Sequence, residues 1–171
     1  MMAFNRLFNR ITHAMHVISG AILVSMMFVT LADVLTRALF KATEGSVDLT
    51  FIGGVELIKY GLLLMVVFAL PYSVGRSQVI VDLFTENLSS RMKAWLEGIY
   101  MLGFVLLGGA MSYRFYHAVG QAGMSGETTQ DLQIPLSYLY AITSFATAFL
   151  SLAALLISLR LFFFQKGESL S

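Results

Sequence analysis

Four ionisable residues stand out because they lie inside, or at the ends of, long apolar stretches. Asp33 and Arg37 are four residues apart near the end of the first stretch, and Glu56 and Lys59 are three apart near the start of the second. Spacings of three and four residues put side chains on one face of a helix, so each pair can close within its own helix. Ionisable groups at membrane depth are costly and are normally paired and turned toward protein or water.

An antiparallel arrangement of the two helices would bring the pairs together. Arg37 would then lie opposite Glu56, and Asp33 opposite Lys59, which predicts one balanced cluster of four charges. We expect these residues to form structural ion pairs rather than to bind substrate. Two alternatives stay open: each pair closes only within its own helix, or the long side chains extend to the membrane interface.

The composition indicates an integral membrane protein. Of the 171 residues, 57% are hydrophobic and 12% are charged, whereas soluble domains carry about 25% charged residues. The chain has no cysteine, which excludes a disulfide framework, a thiolate metal site and a cysteine nucleophile. With a net charge of +1 and no long basic run, it has no feature that favours nucleic-acid binding.

Apolar stretches long enough to cross about 30 Å of hydrocarbon account for most of the chain. We predict a single all-α membrane domain over residues 1–171. Its four transmembrane helices are predicted at about 13–35, 50–74, 94–117 and 136–164. Two amphipathic segments, at about 1–11 and 76–93, are predicted to form short interfacial helices at the membrane surface.

Basic residues are distributed unequally between the two predicted sides of the membrane. The side of the termini would carry seven, namely Arg6, Arg10, Arg76, Arg91, Lys93, Arg160 and Lys166. The opposite side would carry three, namely Arg37, Lys41 and Arg114. Because cytoplasmic loops carry the excess of Lys and Arg, this predicts an N-in/C-in topology.

Small residues recur at regular spacing in the last two predicted spans. The fourth span has a serine every seven residues, with alanines between them. The third span contains glycines, which have no side chain to keep a neighbouring helix away. Small side chains let membrane helices approach closely, which predicts helix packing or a partner interface here. A polar pathway is the alternative, although serines without a neighbouring carboxylate or histidine rarely form one. The residues are Ser137, Ala141, Ser144, Ala148, Ser151, Ser158, Gly103 and Gly108.

No pattern in the sequence predicts a cofactor or an enzyme. Haem ligation by two histidines requires them at similar depth on facing helices. His13 and His16 are instead predicted near one side of the membrane and His117 near the other. Zinc motifs, phosphate loops and nucleophile elbows are missing from the sequence, so we expect no metal, no cofactor and no catalysis. Two other functions stay open: a homo-oligomeric proton-coupled transporter that uses Glu56, and a membrane anchor subunit of a redox complex.

The order of features along nearly the whole chain resembles the small membrane (Q) subunit of tripartite ATP-independent periplasmic (TRAP) transporters. The resemblance includes the length, the four spans and the N-in/C-in topology. Many members of that family are expected to have a histidine where Arg76-Ser77 stands in this chain. The motifs that carry the resemblance are Asp33-Val34-Leu35-x-Arg37, Glu56, Arg76 followed by Val79-x-Val81-Asp82-Leu83-Phe84, and Pro135 at a helix start.

The resemblance implies a multi-pass protein of the bacterial inner membrane that forms a heterodimer with a large membrane (M) subunit. That partner would carry the transport site. A periplasmic substrate-binding protein would deliver an organic acid in transient contacts, and a sodium gradient would drive uptake. The small subunit itself would be a non-catalytic scaffold in the lipid bilayer.

Overall fold

The computed structural model of the protein describes residues 2–76 and 90–164. Over these ranges the chain forms four helices, and all four are long and apolar enough to cross a membrane. A single turn of 3-10 helix, Val74–Arg76, directly follows the second of them. The predicted all-helical class with four spans is confirmed. The helices are α1 (Met2–Ala42), α2 (Gly54–Ser73), α3 (Ser90–Ser125) and α4 (Leu136–Phe164).

Helix α1 continues through the segment predicted to be a separate interfacial helix. It runs without a break over 41 residues. Phe8 is buried and its ring stacks on Phe149 of α4, with the centroids 5.9 Å apart. Ile11 and Met15 pack in a cluster with Val67 of α2. The apolar face of residues 6–15 is therefore covered, at least in part, by the other helices. Of the other predicted interfacial segment, residues 77–89 lie outside the described residues, and 90–93 begin α3.

Helix α4 is the inner helix of the bundle. Helix α1 packs mainly on α2 and α3 mainly on α4, while contacts between α2 and α4 join the two hairpins. In its most apolar window α4 has 44% of its residues buried, compared with 6% for α1. Most of the α1 surface therefore faces outward.

Close packing between α1 and α2 depends on a glycine and a serine. Gly61 of α2 leaves room for the side chain of Met26, which lies where a β-carbon would be. The hydroxyl of Ser19 on α1 donates a hydrogen bond to the carbonyl oxygen of Met65 on α2, at 2.9 Å. These contacts fix the relative position of the two helices of the first hairpin along their length.

Three of the seven-residue-spaced serines bond α4 to α3. Ser144 and Ser112 bond reciprocally, each hydroxyl donating to the other residue's carbonyl oxygen, at 2.9 Å and 3.0 Å. Further along α4, Ser151 donates to the carbonyl of Val105, at 2.9 Å, and Ser158 donates to α3 in the same way. The seven-residue period thus places one hydroxyl against α3 on every second turn.

The other small residues divide between the helix interface and the outside. At Gly108 a β-carbon would lie 2.9 Å from the backbone nitrogen of Ser151, so α3 and α4 touch backbone to backbone there. Gly103 lies in open space, with nothing within 4 Å of a β-carbon. Ala141 and Ala148 are exposed. Ser137 is half-buried. The packing therefore uses Ser144, Ser151, Ser158 and Gly108, and leaves Gly103 and the two alanines on the outer surface.

Candidate functional site

Two loops meet at one end of the bundle, which we call the loop end. Loop 43–53 joins α1 to α2, and loop 126–135 joins α3 to α4. The second loop is closed by its own hydrogen bonds: Thr129 N–H donates to the Ile134 carbonyl at 2.9 Å, and Ile134 N–H donates to the Thr129 hydroxyl at 3.0 Å. These bonds within the loop hold its conformation without a contribution from the first hairpin.

Glu56 joins these two loops. Its side chain leaves the first turn of α2, and side chains on a helix lean toward the N-terminus, here toward the loop end. Oε1 accepts the backbone N–H of Gln130 at 2.8 Å, and Oε2 accepts those of Asp131 at 3.0 Å and Leu132 at 2.8 Å. Successive backbone N–H groups directed at one anion form a nest, and bonds to a charged acceptor are the stronger ones. We call these three bonds the Glu56 clasp.

Gly53 brings the start of α2 close to the same loop. It precedes the first helical residue with φ of 98°, a conformation that side chains with a β-carbon rarely adopt. A β-carbon at this position would lie 2.7 Å from Cδ2 of Leu132. Backbone conformation and space therefore both require glycine beside the Glu56 clasp.

Asp33 and Arg37 form the ion pair that their spacing allows. Arg37 Nε lies 2.9 Å from Asp33 Oδ2, and the Asp33 side chain is 13% exposed while that of Arg37 is 58% exposed. The other carboxylate oxygen of Asp33 is buried and has no hydrogen-bond partner among residues 2–76 and 90–164. A β-carbon on Gly54 would lie 3.1 Å from it, so Asp33 is packed against the first turn of α2. The positive end of a helix dipole favours a carboxylate there.

The four charges of the first hairpin do not form one cluster. Lys59 is exposed, with Nζ 5.3 Å from the centroid of the Tyr60 ring, a cation–π distance. Among the four residues, Arg37 and Asp33 make the ion pair that the structure contains. Glu56 bonds to the loop that precedes α4 and not to Arg37 or Lys59. Sequence spacing did not reveal this, because the nest is built by backbone groups whose residue types carry no signal.

Of the remaining predicted site residues, Pro135 belongs to the loop end and Arg76 lies at the other end of α2. Pro135 immediately precedes α4, and its carbonyl accepts the N–H of Tyr138 at 3.2 Å. Arg76 ends the short 3-10 helix after α2, and Asp82 lies outside the described residues.

Loop 43–53 contains a small polar turn of its own. The hydroxyl and the N–H of Thr50 both donate to Oδ1 of Asp48. Both bonds lower the pKa of the Asp48 carboxyl below its ordinary value, and the bond from the Thr50 hydroxyl has the larger effect. Two exposed apolar residues, Phe51 and Ile52, follow this turn before α2 begins.

The histidines lie at two different ends of the bundle. His13 and His16 both contact the ring of Tyr72 near the chain termini, with centroids 5.3 Å and 4.7 Å away. His117 contacts Tyr113 toward the other end of α3, at 4.5 Å. Within 2–76 and 90–164, no three His, Asp or Glu side chains come together as a metal site would require.

Comparison with known families gives a match over most of the chain. The sequence model of the tripartite ATP-independent periplasmic transporters, DctQ component, matches residues 26–164. This range takes in the second half of α1, all of the other three helices and both loops of the loop end. The chain belongs to this family. No curated protein and no solved structure matches it.

Membership makes the chain a component of a TRAP transporter and a multi-pass protein of the inner membrane. A DctQ component associates with other components of its transporter. The Glu56 clasp, the Asp33–Arg37 pair and the serine contacts all lie within the matched residues.

Proposed function

We propose that this DctQ component is the non-catalytic small membrane subunit of its transporter. It would form a heterodimer with a large membrane subunit and act as the fixed scaffold beside that subunit's moving transport domain. The complete system would take up an organic acid, delivered by a periplasmic binding protein and driven by a sodium gradient. On the predicted N-in/C-in orientation, the loop end faces the periplasm.

The observation that carries this proposal is the Glu56 clasp. A carboxylate that binds substrate or exchanges a proton must be able to change its partners during each cycle. Both oxygens of Glu56 are engaged by backbone N–H groups of a loop that is closed by its own bonds. That arrangement favours a structural role for Glu56, and with it a scaffold subunit.

Contacts between the helices support the same role. The serine hydroxyls and Gly108 hold α3 and α4 together by backbone contacts, which allow little sliding. A scaffold must resist movement where its partner moves. The two other functions have less support: the proton-coupled transporter requires a free Glu56, and a haem anchor requires histidines at similar depth.

The proposal is tested by purification and reconstitution. The chain, tagged at its C-terminus, is isolated from native membranes, and co-purifying proteins are identified by mass spectrometry. We expect one large hydrophobic partner in a one-to-one ratio. In liposomes, uptake of a labelled organic acid should require both subunits, the binding protein and a sodium gradient.

Uptake by this chain alone would overturn the proposal. In that case Glu56→Gln should abolish uptake if the Glu56 carboxylate binds the substrate or exchanges the coupled proton. Glu127→Gln is the matched control, since Glu127 is an exposed acid of loop 126–135 whose side chain takes no part in the Glu56 clasp.

A further inference from the structure

An open groove lies at the loop end, between the end of α1 and the start of α2. Its cavity volume is about 710 Å³, and its lining includes Arg37 and Lys41 from α1, Ile52 from loop 43–53 and Val55 from the first turn of α2. Ile52 and Val55 are 78% and 63% exposed. The groove thus combines cationic and apolar side chains on one open surface.

Two of the three charged residues that line the groove are cations. Arg37 is paired through its Nε with Asp33, and the Arg37 side chain is 58% exposed. Lys41 is exposed and makes no ion pair with a described residue. Asp131, across from them on loop 126–135, is the acidic residue of the lining. Two cations therefore border the groove, and one of them has no counter-charge among residues 2–76 and 90–164.

A third cation continues the groove into the membrane. Val55, Lys59, Leu62 and Val66 follow one another at spacings of four, three and four residues, and all four are exposed. They form a stripe along α2 that begins in the lining of the groove. Lys59 lies one helical turn beyond Val55 on the same face of α2, and a long exposed lysine side chain can extend to the membrane interface.

The depth of these residues indicates what the surface would bind. Helix α2 has 20 residues, about the number needed to cross the hydrocarbon, so its start at Gly54 lies near the membrane boundary. Lipid phosphates lie at that level. Below it, Leu62 and Val66 offer an apolar track in the direction that an acyl chain takes.

We propose that the groove and the α2 stripe bind an anionic phospholipid. The phosphate lies between Lys41, Lys59 and the exposed part of the Arg37 side chain. An acyl chain follows Leu62 and Val66. A ligand for this surface needs a negative head and a long apolar tail together, which is the chemistry of a phospholipid. The inference requires only that the chain spans the membrane, and it is independent of the role proposed above.

The test is thermal unfolding of the full chain, with any partner that co-purifies, in detergent micelles. Phosphatidylglycerol, phosphatidylcholine and soluble glycerol phosphate are titrated separately. We expect phosphatidylglycerol to raise the unfolding temperature with saturation, phosphatidylcholine to raise it less, and glycerol phosphate to have little effect. Each of Lys41→Gln and Lys59→Gln should weaken the apparent affinity for phosphatidylglycerol about fivefold.

Arg114→Gln is the matched control, because Arg114 is an exposed cation of α3 outside the groove. The affinity of this variant for phosphatidylglycerol should equal that of the wild type. Circular dichroism checks that each variant is folded, and the two lysine variants are independent of each other. Equal effects of the two lipids, or unchanged affinity in both variants, would overturn the proposal. Stabilisation by glycerol phosphate as strong as by the lipid would replace it with a soluble-anion site. Loss of a protein partner in Lys59→Gln without any lipid effect would assign the stripe to that partner.

Discussion

Glu56 on α2 and Leu132 before α4 are joined by a 2.8 Å hydrogen bond across a sequence separation of 76 residues. Together with the bonds to Gln130 and Asp131, it ties the start of the first hairpin's second helix to the loop of the second hairpin. The two hairpins are therefore connected at the loop end by polar bonds, in addition to the apolar packing of α2 on α4.

Replacing the Glu56 carboxylate should free the loop amides. In Glu56→Ala we expect backbone amides 130–132 to exchange hydrogen much faster than in the wild type, because their acceptor is gone. Hydrogen–deuterium exchange with mass spectrometry measures this directly. Formate should restore part of the protection, since a small carboxylate can enter the empty nest. Glu127→Ala is the control, and equal exchange rates in the two variants would contradict the Glu56 clasp.

Gly53→Ala should destabilise the protein by about 1–3 kcal/mol, the cost of a strained left-handed conformation. The β-carbon would also lie against Leu132. Thermal unfolding followed by circular dichroism gives the measurement. Adding Leu132→Ala should remove the steric part and leave the conformational part. Gly20→Ala, in the interior of α1 with open space around it, should be neutral or stabilising because alanine favours helix.

Gly108→Ala should weaken the α3–α4 contact. Its β-carbon would come within 2.9 Å of the Ser151 backbone nitrogen, so the helices must move apart. We expect a cost of about 1–3 kcal/mol, typical of overpacking. Gly103→Ala, on the same helix but in open space, is the matched control and should cost nothing. Equal unfolding temperatures for the two variants would show that α3 and α4 are not in close contact at Gly108.

Removing Arg37 alone should be worse than removing both members of its pair. Arg37→Gln leaves the largely buried Asp33 carboxylate without its counter-charge, whereas Asp33→Asn with Arg37→Gln leaves no charge. Unfolding temperatures of the single and double variants form a cycle. Because Arg37 is more than half exposed, we expect a coupling energy below about 1 kcal/mol. Strictly additive effects would mean that the pair contributes nothing.

The fold was predictable because it depends on the length and apolar content of segments. Four stretches able to cross the hydrocarbon define four helices regardless of the details of packing. The spacing of Asp33 and Arg37 likewise fixes their positions on one face, since helix geometry alone decides it.

Contacts with other elements were less accessible to sequence reasoning. The apolar face around Phe8 fits a membrane surface as well as it fits Phe149, and only the structure distinguishes the two. The period of the small residues predicted packing, but it could not separate Ser144, which bonds to α3, from Ala141, which faces outward. The partners of Glu56 are backbone amides of a distant loop, and no pattern of side chains predicts them.

The span between Glu56 and its partners also bears on biosynthesis. A ribosome makes the chain in order, so the carboxylate is made 74 residues before the first of the amides that bind it. Until that loop has been synthesised and has crossed to the same side, the first hairpin carries a carboxylate whose hydrogen-bond donors do not yet exist. Completion of the second hairpin is therefore the step that gives the first hairpin its last bonds, and a nascent chain halted before residue 130 would lack them.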